Sequence, residues 1–157
     1  MKVLFVCLGN ICRSPMAEGI MKSLAMENKL SWHIDSAATE SYHIGAMPDK
    51  RAIATCKRHG IHIADQRARK LTAKDFDDFD IIYAMAEEVM REIVRDHKAA
   101  AGNKKLRLLL EEVSPGEVRS VPDPYYGAEE GFEPVFQLIK KGCKAVLRKY
   151  ADIGQTA

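Results

Sequence analysis

The chain is predicted to fold as an α/β protein built on a four-stranded parallel sheet with helices on both faces. Three observations carry that prediction. Short apolar runs at residues 3–6, 31–36, 81–85 and 105–113 alternate with segments whose apolar residues recur at helical spacing. Alternation of this kind favours parallel strands joined by right-handed crossovers, with both sheet faces covered. At 157 residues the chain suits one domain with a sizeable core over residues 1–157, and is short for two.

Val3-Leu4-Phe5-Val6 opens the chain as a buried strand and runs into Cys7-Leu8-Gly9-Asn10-Ile11-Cys12-Arg13-Ser14-Pro15. Ser14 before Pro15 reads as an N-cap and first helical position, so the residues between form a strand-to-helix loop. Met16, Ala17, Ile20, Met21 and Leu24 then form an apolar stripe to about Asn28, with Glu18, Lys22 and Ser23 off it. A second strand is expected to end at Ser36. A helix over 49–59 is stopped by Gly60. Residues 61–70 are irregular and basic, and 72–79 suggest a short helical turn. The third strand, introduced by Asp80, leads to a helix over 87–99 with Val89, Met90, Ile93 and Val94 on one face. Residues 105–113 read as a fourth strand, although their leucines also suit a helix. A proline-rich loop at 114–127 precedes a last helix over 129–150, whose stripe is Phe132, Val135, Phe136, Ile139, Cys143, Val146 and Tyr150.

Composition narrows the function classes. A net charge of +2 with 29% charged residues gives no global reason to bind nucleic acid or a membrane, so neither is expected as a partner. No signal-like apolar stretch precedes the first strand, and the four cysteines therefore fit a reducing, cytoplasmic setting better than a disulfide framework. No paired C-x2-C occurs and the five histidines are scattered, so no metal and no cofactor are expected.

The chemistry is concentrated in the first loop. Backbone N–H groups converge where such a loop meets a helix N-terminus, which makes an oxyanion site and favours the thiolate of a nearby cysteine. Cys7 is the candidate nucleophile. Arg13 offers a planar fork that matches two phosphoryl oxygens. Gly9 permits close backbone approach or a positive φ, and Asn10 tolerates a left-handed conformation. Cys12 shares the loop, whose curvature would allow a reversible disulfide with Cys7 and make the site redox-sensitive. Asp123 lies between Pro122 and Pro124; on spacing alone it is either a plain turn or a carboxyl held over a site. Tyr42, Tyr125 and Tyr126, with Leu8 and Ile11, are candidates for aromatic and apolar walls around a flat ring.

The C-x5-R-S pattern with its local run VCLGNICRSP resembles the signature of the low-molecular-weight protein tyrosine phosphatases. The likeness extends to Asp35-Ser36-Ala37-Ala38-Thr39, Lys57-Arg58-His59-Gly60-Ile61, Asp75-Phe76 and Asp123-Pro124-Tyr125-Tyr126-Gly127. It implies a phosphatase I-like three-layer sandwich and metal-independent hydrolysis of phosphotyrosine-containing proteins and small aryl phosphates. A phosphocysteine would form on Cys7. Residues Leu8, Gly9, Asn10, Ile11, Cys12, Arg13 and Ser14 would bind phosphate or another oxyanion, with Asp123 as general acid and base. Ser14 would also hydrogen-bond the leaving sulfur, and Asn10 would hold the loop together with Ser36. Two departures from the family pattern stand out. Asp65-Gln66 occupies the region of an expected supporting histidine, and Ala86 follows Met85 where an aspartate is usual. Arsenate reductases share this loop but need a relay of further cysteines, and mid-chain only Cys56 is available. A phosphotyrosine-binding scaffold would have little use for a complete nucleophile, arginine and acid.

Overall fold

The computed structural model describes residues 1–117 and 119–155. Val118, inside the expected 114–127 loop, and residues 156–157 lie outside the described residues. Four strands, β1 (Lys2–Cys7), β2 (His33–Ala38), β3 (Ile81–Ala84) and β4 (Leu106–Leu108), form one sheet in the order β2-β1-β3-β4, every pair parallel. Helices α1 (Arg13–Glu27), α2 (Lys50–Arg58), α3 (Asp75–Asp78), α4 (Glu87–Asp96) and α5 (Phe132–Gln155) connect and follow the strands.

Side chains alternate along β1, so Val3, Phe5 and Cys7 enter one core with α1, α2 and α5, while Leu4 and Val6 enter another with α3 and α4. This is the predicted three-layer α/β arrangement. Phe5 and Tyr83 stack across adjacent strands, centroids 5.9 Å apart. Chain order reverses between β1 and β3, and the crevice beyond the carboxyl ends of these strands is where ligands bind in open parallel sheets. Cys7 is the last residue of β1, at that switch point.

Several expectations are corrected. Cys12, not Ser14, occupies the N-cap of α1 and makes no side-chain capping bond. Ser14 lies within the first turn, its hydroxyl turned toward Cys7, and Pro15 is tolerated there because the first-turn N–H groups have no intrahelical partner. Glu18 is buried rather than off the apolar stripe, as α1 is enclosed on nearly all sides through its first half. β2 continues past Ser36 to Ala38, whose N–H and C=O are paired by the segment that follows α2. β4 is only three residues long, because Leu109–Glu112 winds into a 3-10 turn that buries Leu109 and Leu110 under α5. The helix expected over 87–99 stops at Asp96, and Val94 is exposed instead of joining Val89 and Ile93 inside. A 3-10 turn at Glu129–Gly131 precedes α5, which outlasts Tyr150. Asp49 does cap α2, accepting from the Arg51 N–H, and Gly60 with φ +75° follows the helix as expected.

Candidate active site

The β1–α1 loop is built around Asn10. Its φ of +58° is the left-handed conformation that reverses the chain, a role that falls to Asn10 and not to Gly9. Gly9 supplies close approach instead, since a Cβ there would come within 3.1 Å of the His43 ring. Asn10 Oδ1 accepts from the Arg69 N–H (3.1 Å), which settles the orientation of the amide. Nδ2 then donates to Ser14 Oγ (2.7 Å) and Ser36 Oγ (2.9 Å).

The directions of the remaining bonds follow. Ser36 Oγ, already accepting from Asn10, donates to Glu18 Oε1 at 2.7 Å, and Lys22 Nζ meets the other Glu18 oxygen at 2.7 Å. Ser14 Oγ, also accepting from Asn10, lies 2.9 Å from Cys7 Sγ; either atom can donate while the sulfur is a thiol, and only Ser14 can once it is a thiolate. Among the described residues, none of the N–H groups of Leu8, Gly9, Asn10, Ile11 and Cys12 is spent on a protein acceptor. They are available to an anion held over Cys7.

Arg13 closes the loop with its side chain 1% exposed. Nη1 donates to Glu88 Oε1 (3.1 Å) and to the Val121 carbonyl (3.0 Å), while Nη2 lies 3.5 Å from Asp123 Oδ2. Asp123 is thereby brought beside Arg13 from 110 positions downstream, its Oδ1 accepting from the Tyr125 N–H. Arg51 ties this second loop down. Clamped on Asp49, it donates to the Tyr125 and Gly127 carbonyls and lies over the Phe132 ring, 4.7 Å from its centroid.

Cys7, Arg13 and Asp123 face one cavity of about 580 Å³, while Asn10, Ser14 and Arg51 support it from outside its lining. Cys7, Leu8, Gly9, Ile11, Cys12, Arg13, Asp123, Tyr42, Tyr125 and Tyr126 all line it, so the structure brings together the nucleophile, loop and wall residues expected from sequence. Tyr42 and Tyr126 are mostly exposed, and Tyr125 meets Tyr126 edge-on with centroids 5.0 Å apart. The opposite wall is the charged face of α4, with Glu88, Arg91, Glu92 and Arg95. Burial, and then the neighbouring Glu40, raises the Glu92 carboxyl above the ordinary range. Burial likewise pushes the Cys12 thiol up, reinforced by Asp49, and that of Cys56 up to about 12. All four cysteines are free, and Cys56 and Cys143 are fully enclosed core residues. Among the described residues, no cluster of three or more His, Cys, Asp or Glu side chains could hold a metal ion.

Sequence reasoning missed Glu18, Arg51, Arg69 and Glu88. Glu18 carried a signal, a carboxylate amid apolar residues next to the motif. Arg51 and Arg69 gave none beyond being charged. The expected histidine has no single replacement. Gln66 Nε2 anchors its segment on the Pro15 carbonyl at 3.1 Å, and Glu18 with the Arg69 amide takes the polar contacts of Ser36 and Asn10.

Known proteins of similar sequence and fold point to one family. The family described as low molecular weight phosphotyrosine protein phosphatase matches residues 2–155. The mouse protein of that name is 43% identical over 149 residues, 94% of each chain. YfkJ from Bacillus subtilis superimposes with a TM-score of 0.88 at 40% identity, covering 97% of this chain and 95% of that one. A protein tyrosine phosphatase from Entamoeba histolytica, solved with Hepes in its active site, gives a TM-score of 0.87 at 35% identity over 97% of both chains.

Proposed function

The chain belongs to the low molecular weight phosphotyrosine protein phosphatase family, and from that premise we propose that it hydrolyses phosphotyrosine in proteins, and small aryl phosphates, through a phosphocysteine on Cys7. The observation that carries this reading is the convergence of Cys7, Arg13 and Asp123 on one cavity, with the loop between Cys7 and Arg13 keeping its N–H groups unspent.

The Cys7 thiolate attacks phosphorus as the P–O bond to the tyrosine ring breaks, and Asp123 gives its proton to the departing phenolic oxygen. Charge gathering on the phosphoryl oxygens is met by the loop amides and by Arg13. A water then attacks phosphorus from the opened side and Asp123 takes its proton. Inorganic phosphate leaves as the S–P bond breaks, and Ser14 hydrogen-bonds the sulfur that regains its electron pair. Tyr42, Tyr125, Leu8 and Ile11 wall the approach to Cys7, which a phosphorylated ring can span and a shorter phosphoserine cannot. Phosphotyrosine proteins are the proposed partners, with phosphate and related oxyanions occupying the loop. The cytosol is the proposed setting and one domain the proposed organisation. No helix among the described residues is long and apolar enough to cross a membrane.

Burst kinetics with p-nitrophenyl phosphate test the proposal. A stoichiometric burst of nitrophenol is expected from the parent, and Cys7→Ser should lower turnover by about 10⁴-fold or more. Undiminished turnover by Cys7→Ser would defeat the mechanism.

A further inference from the structure

We propose that Glu88 is the positioning residue that aims the Arg13 guanidinium at the phosphoryl group, in place of the acidic residue expected after Met85, where this chain has Ala86. The proposal rests on the phosphatase reading above. Position 86 is buried and caps α4 without a side-chain hydrogen bond, so it offers Arg13 nothing. The carboxylate that does meet Arg13 comes from the first turn of α4, where a negative charge also suits the helix N-terminus.

The donor count shows what this contact does. A guanidinium carries five N–H donors, one on Nε and two on each terminal nitrogen. Glu88 Oε1 and the Val121 carbonyl take both donors of Nη1. That leaves Nε and the Nη2 donor beside it, which form one bidentate edge of the fork, for two phosphoryl oxygens, while the second Nη2 donor can serve Asp123 Oδ2, 3.5 Å from Nη2. Glu88 and Val121 act as one bracket. The Val121 N–H donates to the Met85 carbonyl at 2.8 Å and the Glu87 N–H to Ser120 Oγ at 2.8 Å, joining the strap before Asp123 to the start of α4. Without Glu88 the guanidinium keeps the Val121 carbonyl on Nη1 and the Asp123 carboxylate 3.5 Å from Nη2, and the edge of its fork is aimed less firmly.

Position should matter more than charge here, because the Glu88 side chain is 43% exposed and its field is screened by water. Gln at 88 preserves an acceptor for Nη1 and Ala does not. The test compares Glu88→Ala, Glu88→Gln and the parent by turnover of p-nitrophenyl phosphate and by calorimetric binding of inorganic phosphate, with thermal melts alongside. Glu88→Ala is expected to lower kcat/KM by about 10- to 100-fold, most of it in kcat, and to weaken phosphate binding about tenfold. Glu88→Gln should recover both to within about threefold of the parent, with the fold intact in each. The proposal is overturned if Glu88→Ala binds phosphate and turns over like the parent, or if Glu88→Gln is as impaired as Glu88→Ala. Phosphate binding reads Arg13 even where turnover is lost, so a parent that binds phosphate without hydrolysing the aryl ester would sink the functional reading and leave this one to be judged by binding.

Discussion

The two loops that make the site are held in opposite ways. In the β1–α1 loop Cys7, Asn10, Arg13 and Ser14 are all buried, and each side chain is fixed by side-chain partners, several of them also buried. The loop around Asp123 is mostly exposed and is secured through its backbone, with Arg51 gripping the Tyr125 and Gly127 carbonyls and the Met85 carbonyl holding the Val121 N–H. A nucleophile and an oxyanion cradle gain from rigidity, since small misplacements of reacting atoms are expensive. The acid must serve a leaving phenol in one step and an incoming water in the next. A partly solvated carboxyl on a backbone-anchored turn can do both.

Asp123→Ala gives the largest separation of the two regions. It is expected to cost about 10²- to 10⁴-fold in kcat on a phosphotyrosine peptide. Phosphate binding should persist, because the buried loop does not depend on Asp123 for its shape. Steady-state kinetics alongside phosphate calorimetry check this, and a parallel collapse of both would mean that the loops are not independent.

Asn10→Ala attacks the other side. It removes donors to Ser14 and Ser36 and an acceptor for the Arg69 amide, and it places a residue that resists positive φ where φ is +58°. A loss of about 10²-fold in kcat/KM is expected, with phosphate binding weakened to match. If binding survived while kcat fell, the cradle would be less dependent on its side-chain network than its geometry implies.

The same contrast decides what could be read from sequence. The buried loop is compact in the chain, so Cys7, Arg13 and Ser14 carried their spacing in view, and the strand before and helix after them are strong local patterns. Asp123 between prolines was recognisable only through resemblance, since an Asp-Pro turn looks alike whether or not it overhangs a cavity. Of the two roles expected of Ser14, the cap fails because capping is a local rule, while the contact with the sulfur 2.9 Å away is tertiary and was legible only through resemblance. Glu88, Arg51 and Arg69 were invisible for the same reason. Their partners lie as far as 75 or 76 positions away, and a charged residue on a helix face, or in an irregular basic segment as Arg69 is, reads as solvated. β4 was overextended because leucines suit a strand, a helix or a buried turn equally, and packing under α5 chose the turn.

The smallest effect expected concerns the backbone anchor of the exposed loop. The Arg51 side chain, as hydrogen-bond donor, holds the Asp49 carboxyl below the ordinary carboxylate range. A folded-state pKa below the unfolded one means that the stabilisation is present above the unfolded value near ~3.9 and is lost as pH falls through the folded one. Asp49→Asn keeps an N-cap acceptor for α2 but discards the charge that aligns Arg51 with the Tyr125 and Gly127 carbonyls. Near neutral pH the variant should lose about 0.5 kcal/mol of stability. Below about pH 4 its melting temperature should converge on that of the parent, because the parent's Asp49 is then being neutralised as well. A gap that stayed constant down to pH 3 would locate the contribution of Asp49 in its capping geometry, and the exposed loop would then owe its position to Val121 and α4 rather than to the Arg51 clamp.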